Sequence, residues 1–212
     1  MTKRALLILN TYNGSSYCLG QPILNDGKMM ENHLMKYGYK CKKLIDKGMS
    51  EVLKEIEQIL QSSKEVLIYY SGHGAQVGYN PDEDDRRNEA FCFLHRMFFL
   101  EDDTLSECIN KNKKTDKLIL FNDCCHSGTI WDLDKVHLKE NQVIWNISAC
   151  EDSQTAAQLA QNGALTSIFW ANMKDKTLNF ERLTRALSHF RQVPVISKNN
   201  KKIIEKEIEI DF

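Results

Sequence analysis

The chain has 212 residues, with 28 Lys+Arg against 29 Asp+Glu and a formal net charge of -1. That length suits one α/β domain with a substantial core. The near-even, interspersed charge argues against a nucleic-acid-binding stripe or a polybasic membrane anchor, and no apolar run reaches transmembrane length. The cysteines number seven, without regular spacing, which points to reduced thiols in a cytoplasmic protein rather than a disulfide framework.

Arg4–Asn10 reads as a first core strand. Lys3-Arg4 before it imitates a secretion signal, but the apolar run is too short. The spacing of Met29, Met30, Leu34 and Met35 predicts a helix over Asn25–Tyr37, stopped by Gly38. Tyr39–Ile45 is a second strand. Ser50 caps a helix running to Gln61, with Val52, Leu53, Ile56, Ile59 and Leu60 on its buried side. Val66–Tyr70 is a third strand. An acidic, polar loop follows at Tyr79–Glu89, then a small hairpin of Ala90–Leu94 and Met97–Leu100. Asp102–Ile109 reads as a short helix whose acids suit its N-terminal dipole.

Lys117–Asn122 and Val143–Ala149 are the fourth and fifth strands, separated by a short polar stretch. Thr166–Met173 and Phe180–Arg191 read as helices. Gln192–Ser197 is irregular or an edge. The alternation in the tail KKIIEKEIEI predicts a final, half-exposed edge strand, with a frayed helix as the other reading. Strands alternating with helices imply βαβ units and a parallel sheet covered on both faces.

Two of these strands end in chemistry. Leu118–Phe121 runs through Asn122-Asp123 into Cys124-Cys125-His126-Ser127-Gly128, and Val66–Tyr70 runs into Ser71-Gly72-His73-Gly74. Open α/β sheets carry their sites at the carboxyl ends of strands. If the extended chain persists past Phe121, Asp123 and Cys125 share one face while Cys124 points the other way. His126 is the sequence neighbour of Cys125 and poorly placed to take its proton. His73 is therefore the candidate base and Cys125 the candidate nucleophile. The plain alternative for Cys125 is a buried small apolar residue. No third group that would orient His73 is evident. Two residues of extended chain span about 6.6 Å, so Asp123 lies within reach of a lysine or arginine side chain bound at the thiol. The plain alternative for Asp123 is a cap on the next turn.

YSGHG followed by DCCHSG resembles the caspase-like cysteine peptidases, and within them the metacaspases; the likeness runs from Ala5 to about Ile196. The resemblance implies a caspase-hemoglobinase-like three-layer sandwich: a mostly parallel six-stranded sheet flanked by helices, with an antiparallel edge strand. It implies one peptidase domain over residues 1–212, with 1–129 corresponding to a large subunit and 142–212 to a small one. It is similar to the type I, single-chain group, without a prodomain in this sequence.

The same resemblance implies an oxyanion hole from the amides of Gly74 and Cys125. It implies an acidic pocket of Asp26, Ser71, Asp123 and Ser148 that selects Arg or Lys at P1. Asp26 enters through Asn25-Asp26-Gly27-Lys28-Met29-Met30, which is similar to the family's N-D-x-x-x-M pattern. Where many metacaspases carry an extra cysteine before this aspartate, this chain has Ile23. An activating calcium ion is implied at Asp102, Asp103, Asp132 and Asn88, with no organic cofactor. The implied partners are peptides or proteins with Arg or Lys at P1, with no nucleic acid and no membrane, for a monomeric enzyme. If basic P1 residues are accepted, self-cleavage is expected after Lys135 or Lys139 in the joining segment, or after Lys111, Lys113 or Lys114 in another loop. The other functional readings are a catalytically weak or inactive caspase-like scaffold, a protease of the same clan that cuts after Asn or Asp and would lack the acidic pocket, and a zinc or redox site at Cys124-Cys125-His126, disfavoured because no second thiol pair with zinc spacing is present.

Overall fold

A computed structural model describes residues 2–78, 87–93, 97–112 and 114–212. The strands and helices in the first half are β1 (Lys3–Leu9), α1 (Gln21–Lys36), β2 (Tyr39–Ile45), α2 (Met49–Ser62), β3 (Glu65–Ser71), β4 (Gly74–Val77), β5 (Asn88–Phe93), β6 (Phe98–Glu101) and α3 (Asp102–Lys111). The second half adds β7 (Lys117–Asp123), β8 (Val143–Ser148), α4 (Ala164–Ala171), β9 (Met173–Lys174), β10 (Thr177–Asn179), α5 (Phe180–Ser188), β11 (Val195–Lys198), β12 (Lys201–Lys202) and β13 (Glu207–Glu209).

One sheet organises these elements, in the order β12-β11-β8-β7-β3-β1-β2. The five strands from β8 to β2 are parallel, and β11 joins β8 antiparallel. The expected six strands are present, and a two-residue β12 extends the antiparallel edge. Alternation along the strands sorts the core into two layers. Leu7, Leu9, Leu67, Tyr69, Ile119 and Phe121 pack with α1 and α4 on one face. Leu6, Ile8, Val66, Ile68, Leu118 and Leu120 pack with α2 and α3 on the other. Parallel strands buried on both faces need such unbroken apolar runs.

Several expectations shift. α1 starts at Gln21, with a proline in its first turn, where a missing N–H costs nothing. The expected hairpin is β5 with β6, and β4 pairs onto β5 to make a separate three-stranded sheet. Most of the acidic loop, 79–86, lies outside the described residues, as do 94–96. Gln192–Pro194 carries no regular structure, as expected, while Val195–Ser197 lies in β11, which pairs with β8 on one side and with the two-residue β12 on the other. The tail does not form one strand. Lys201–Lys202 extends the main sheet, while Glu207–Glu209 pairs with β10 in another small sheet. The alternation there still has its expected use, since Ile208, Ile210 and Phe212 turn inward.

Candidate active site

β3 and β7 are neighbours, with Ser71 opposite Asp123. The residues that follow therefore leave the sheet side by side, and His73 and Cys125 stand at equivalent steps beyond the two strand ends. Contact between the segments is direct. A Cβ built on Gly74 would overlap the Cys125 carbonyl oxygen, so only glycine permits this approach. Cys124 is buried in the layer behind Tyr70, and burial raises its thiol well above the ordinary range. Cys125, on the opposite side, is half-buried, and its Sγ accepts the Ala156 N–H at 3.2 Å. His126 has a left-handed backbone, φ 49°, and its Nδ1 bonds the Asp152 carbonyl. It is tied away from the thiol.

His73 is held on three sides. Its N–H donates to the Tyr12 hydroxyl at 2.9 Å, its carbonyl accepts the Tyr70 hydroxyl at 2.7 Å, and its Nε2 lies 2.8 Å from the Tyr17 carbonyl. A carbonyl only accepts, so Nε2 carries a hydrogen and Nδ1 is the nitrogen with basic character. The Tyr17 carbonyl is thus the orienting group that the sequence did not reveal. Tyr12 donates in turn to the Cys92 carbonyl at 2.7 Å, and its ring centroid is 4.8 Å from that of His73. Burial keeps both tyrosines protonated by raising their pKa values above the ordinary phenol range.

Asp26 from α1 and Asp123 from the end of β7 meet beneath the N-terminus of α4. Asp26 accepts the Gly163 N–H at 2.8 and 2.9 Å and the Asn162 amide at 2.9 Å, and Ser71 Oγ lies 3.4 Å away. Asp123 accepts the Thr166 N–H at 2.9 Å and the Thr166 hydroxyl at 2.7 Å. A side chain on Gly163 would collide with both carboxylates. The amides of a helix N-terminus suit negative charge. Even so, burial first and the Asp123 charge second push Asp26 up to about 7. Burial also raises Asp123, opposed by its bonds from Thr166. Asp123 does cap a helix, but across the fold at α4 and not in the turn that follows it.

Asp26, Ser71 and Asp123 therefore come together as expected, and Ser148 does not join them. Ser148 pairs with Asn122 in the sheet register, one residue out of step with Asp123, so it faces the opposite layer. There its hydroxyl meets Asn122 and Asn146, and Asn122 accepts the Trp131 indole N–H at 2.8 Å.

Each of the four expected calcium ligands has a partner within the chain. The carboxylate of Asp102 accepts the Glu89 N–H at 2.8 Å and the Asp103 N–H at 2.7 Å. Asp103 and Asp132 are each 2.7 Å from the Lys135 ammonium. The side chain of Asn88 donates to Glu101 at 2.8 Å. Among the described residues no group of three or more His, Cys, Asp or Glu is arranged to hold a metal. Burial raises Asp132, and pushes Asp102 up to about 6 and Glu89 up to about 7.

A parallel sheet that brings a histidine and a cysteine to adjoining carboxyl ends, beside paired buried acids, defines a caspase-like domain. Residues 2–203 match the caspase domain family, so the chain belongs to that family, as a metacaspase-like member. It is 28% identical to Metacaspase-6 of Arabidopsis thaliana over 156 residues, covering 66% of this chain and 42% of that protein. It is 26% identical to Metacaspase-3 of Trypanosoma brucei brucei over 267 residues, covering 99% of this chain and 73% of the relative. The match to the Arabidopsis relative thus spans less than half of that protein's length. Two crystal structures share the fold. A Geobacter sulfurreducens protein superimposes with a TM-score of 0.70 at 21% identity, covering 93% of each chain. The Drosophila initiator caspase Dronc superimposes with a TM-score of 0.64 at 11% identity, covering 94% of this chain and 81% of the caspase.

Proposed function

We propose that this chain is a cysteine endopeptidase that hydrolyses peptide bonds after Arg or Lys. The reading rests above all on one observation: the His73 ring is anchored through Nε2 to the Tyr17 carbonyl, in a segment whose Gly74 packs directly on the Cys125 backbone. The Cys125 thiol gives its proton to Nδ1 of His73, and the thiolate attacks the substrate carbonyl carbon. The amides of Gly74 and Cys125 receive the developing oxyanion. The C–N bond breaks as Nδ1 returns the proton to the leaving amine. Water, deprotonated by the same nitrogen, then releases the acyl group from sulfur and regenerates the thiol. The Ala156 N–H bonded to Sγ favours thiolate over thiol.

The preference for a basic P1 residue rests on Asp26 and Asp123. A guanidinium carries five donors in a planar fork and suits two adjacent carboxylates. In the closed arrangement their oxygens already accept bonds from Gly163, Asn162 and Thr166, so an entering cation must share or displace those donors. Lysines exposed on both edge strands, Lys40 and Lys42 in β2 and Lys201 and Lys202 in β12, support a monomer, and the seven free cysteines suit a reducing, cytoplasmic setting.

Fluorogenic peptides ending in Arg, Lys, Asp and Asn test the proposal. Cleavage of the Arg and Lys peptides, abolished by Cys125→Ala, is expected. Preference for Asp or Asn would overturn the specificity. Folded protein that cleaves none of the four would favour the scaffold reading.

A further inference from the structure

We infer that the Lys135 ammonium is the resident cation of the acidic site beside the Cys125 loop, occupying the position that the family resemblance assigns to calcium, so that this region holds its shape without a divalent ion. The argument starts from the chain leaving Cys125. That segment passes Trp131, which is fully buried, and reaches Asp132, whose backbone is left-handed with φ 39°. A 3-10 turn over Leu133–Lys135 then brings the lysine back over the aspartate that precedes it. The turn is closed by the Lys135 N–H donating to the Asp132 carbonyl at 3.1 Å.

The ammonium lands between two segments. It is 2.7 Å from Oδ2 of Asp132 and 2.7 Å from Oδ1 of Asp103 in the first turn of α3. The contact to Asp132 is an ion pair more than a directed bond, since that buried oxygen has no hydrogen-bond partner. Asp132 itself is only 7% exposed, and a carboxylate so enclosed requires a counter-charge. Neutral bonds support the same junction: the Asn110 side chain donates to the Lys135 carbonyl at 2.8 Å and accepts the His137 N–H at 2.8 Å. The junction therefore has a cation, a bridging amide and an anchored turn, all supplied by this chain.

Among the described residues, a calcium ion here would lack its ligands. It takes six to eight oxygens at roughly 2.3–2.6 Å. Asp102 spends its oxygens on two backbone amides, Asn88 is turned to Glu101, and an ion touching Asp103 and Asp132 would stand against the ammonium bound to both. A lysine in this place fixes the Cys125 segment to α3 permanently, where an exchangeable ion would fix it only when present.

The test is calcium binding followed by calorimetry and by thermal unfolding, with calcium chloride as the probe and no activity readout needed. The unaltered protein is expected to show no binding heat and an unchanged Tm up to millimolar calcium. Lys135→Ala is expected to unfold at a lower temperature, and to bind calcium at least tenfold more tightly than the unaltered protein with recovery of Tm. Lys135→Arg, which keeps the cation, is expected to behave as the unaltered protein. Calcium binding by the unaltered protein, or a Lys135→Ala variant that calcium does not stabilise, would overturn the inference. Because both readouts are physical, the outcome stands whether or not the chain proves to be a peptidase.

Discussion

Replacing Asp26 by asparagine probes the closed carboxylate pair, and its effect can be worked out in advance. Asp26 is fully buried, and its carboxyl is pushed from the ordinary 3.8 up to about 7. In the unfolded chain the proton leaves near the ordinary value; in the folded protein it stays until near neutrality. Between those limits the folded state binds more protons, so rising pH favours unfolding. Each unit of that window is worth about 1.4 kcal/mol, and three units give roughly 4 kcal/mol, as a ceiling because the proton is shared with Asp123. Asparagine has no proton to lose. Its weaker bond to the Gly163 N–H shifts stability at every pH without changing the slope. Urea unfolding of both proteins at steps from pH 4 to pH 8 should therefore show the unaltered protein losing stability relative to Asp26→Asn as pH rises, with most of the change below pH 7. Parallel curves, or a difference that grows in the other direction, would show that the pair is not held as described.

Other changes address the rest of the site. Tyr12→Phe removes the acceptor of the His73 N–H and the donor to the Cys92 carbonyl. The Cys92 carbonyl keeps its bonds from Asn10 and Tyr70, so the loss falls on the His73 N–H; unfolding stability should drop by about 1–3 kcal/mol, and steady-state kinetics should show kcat reduced with KM nearly unchanged. Gly163→Ala forces a methyl onto Asp123 and Asp26, so Tm should fall, whereas alanine at Gly48, where nothing lies within 4 Å, should leave it almost unchanged. Self-cleavage after Lys135 or Lys139 requires opening the ion pairs to Asp103, Asp132 and Asp116. Intact-mass analysis should therefore find products of cutting after those lysines increased by high salt, and their complete absence under all conditions would remove self-processing from the proposal; the alternative site Lys113 lies outside the described residues.

The strands of the main sheet were legible because buried parallel strands demand apolar runs, and Val66–Tyr70 and Leu118–Phe121 are such runs. His73 and Cys125 were legible because each follows one of them directly. The Tyr17 carbonyl was not, since a backbone acceptor leaves no mark in a sequence. Nor was the Tyr12 hydroxyl that accepts the His73 N–H, because the two residues are far apart in the chain. The β9–β10 hairpin turns on Asp175 and Lys176 with φ 48° and 70°, without the Asn-Gly or Asp-Gly pair that announces such turns. Ser148 was misassigned by resemblance, although strand parity argues against it. Lys135 was read as a cleavage site because its charge was visible and its partners, distant in sequence or hidden in a turn, were not.

Parity also explains why one short segment can serve both chemistry and architecture. Asn122 and Cys124 face the layer that holds Trp131 and Tyr70, where indole, amide and phenol groups fix the strand end. Asp123 and Cys125 face the other way, toward α4 and the segment carrying Ala156. That segment reaches both: its Ala156 N–H bonds the thiol, and Gly163 at its far end bonds Asp26 beside Asp123. A slip of one residue in the pairing of β7 with β3 would bury Cys125 behind Tyr70 and present Asn122 and Cys124 instead, leaving Asp26 as a lone acid where the pair now stands. The register Ser71↔Asp123 is therefore the single structural fact on which thiol, imidazole and paired acids all depend.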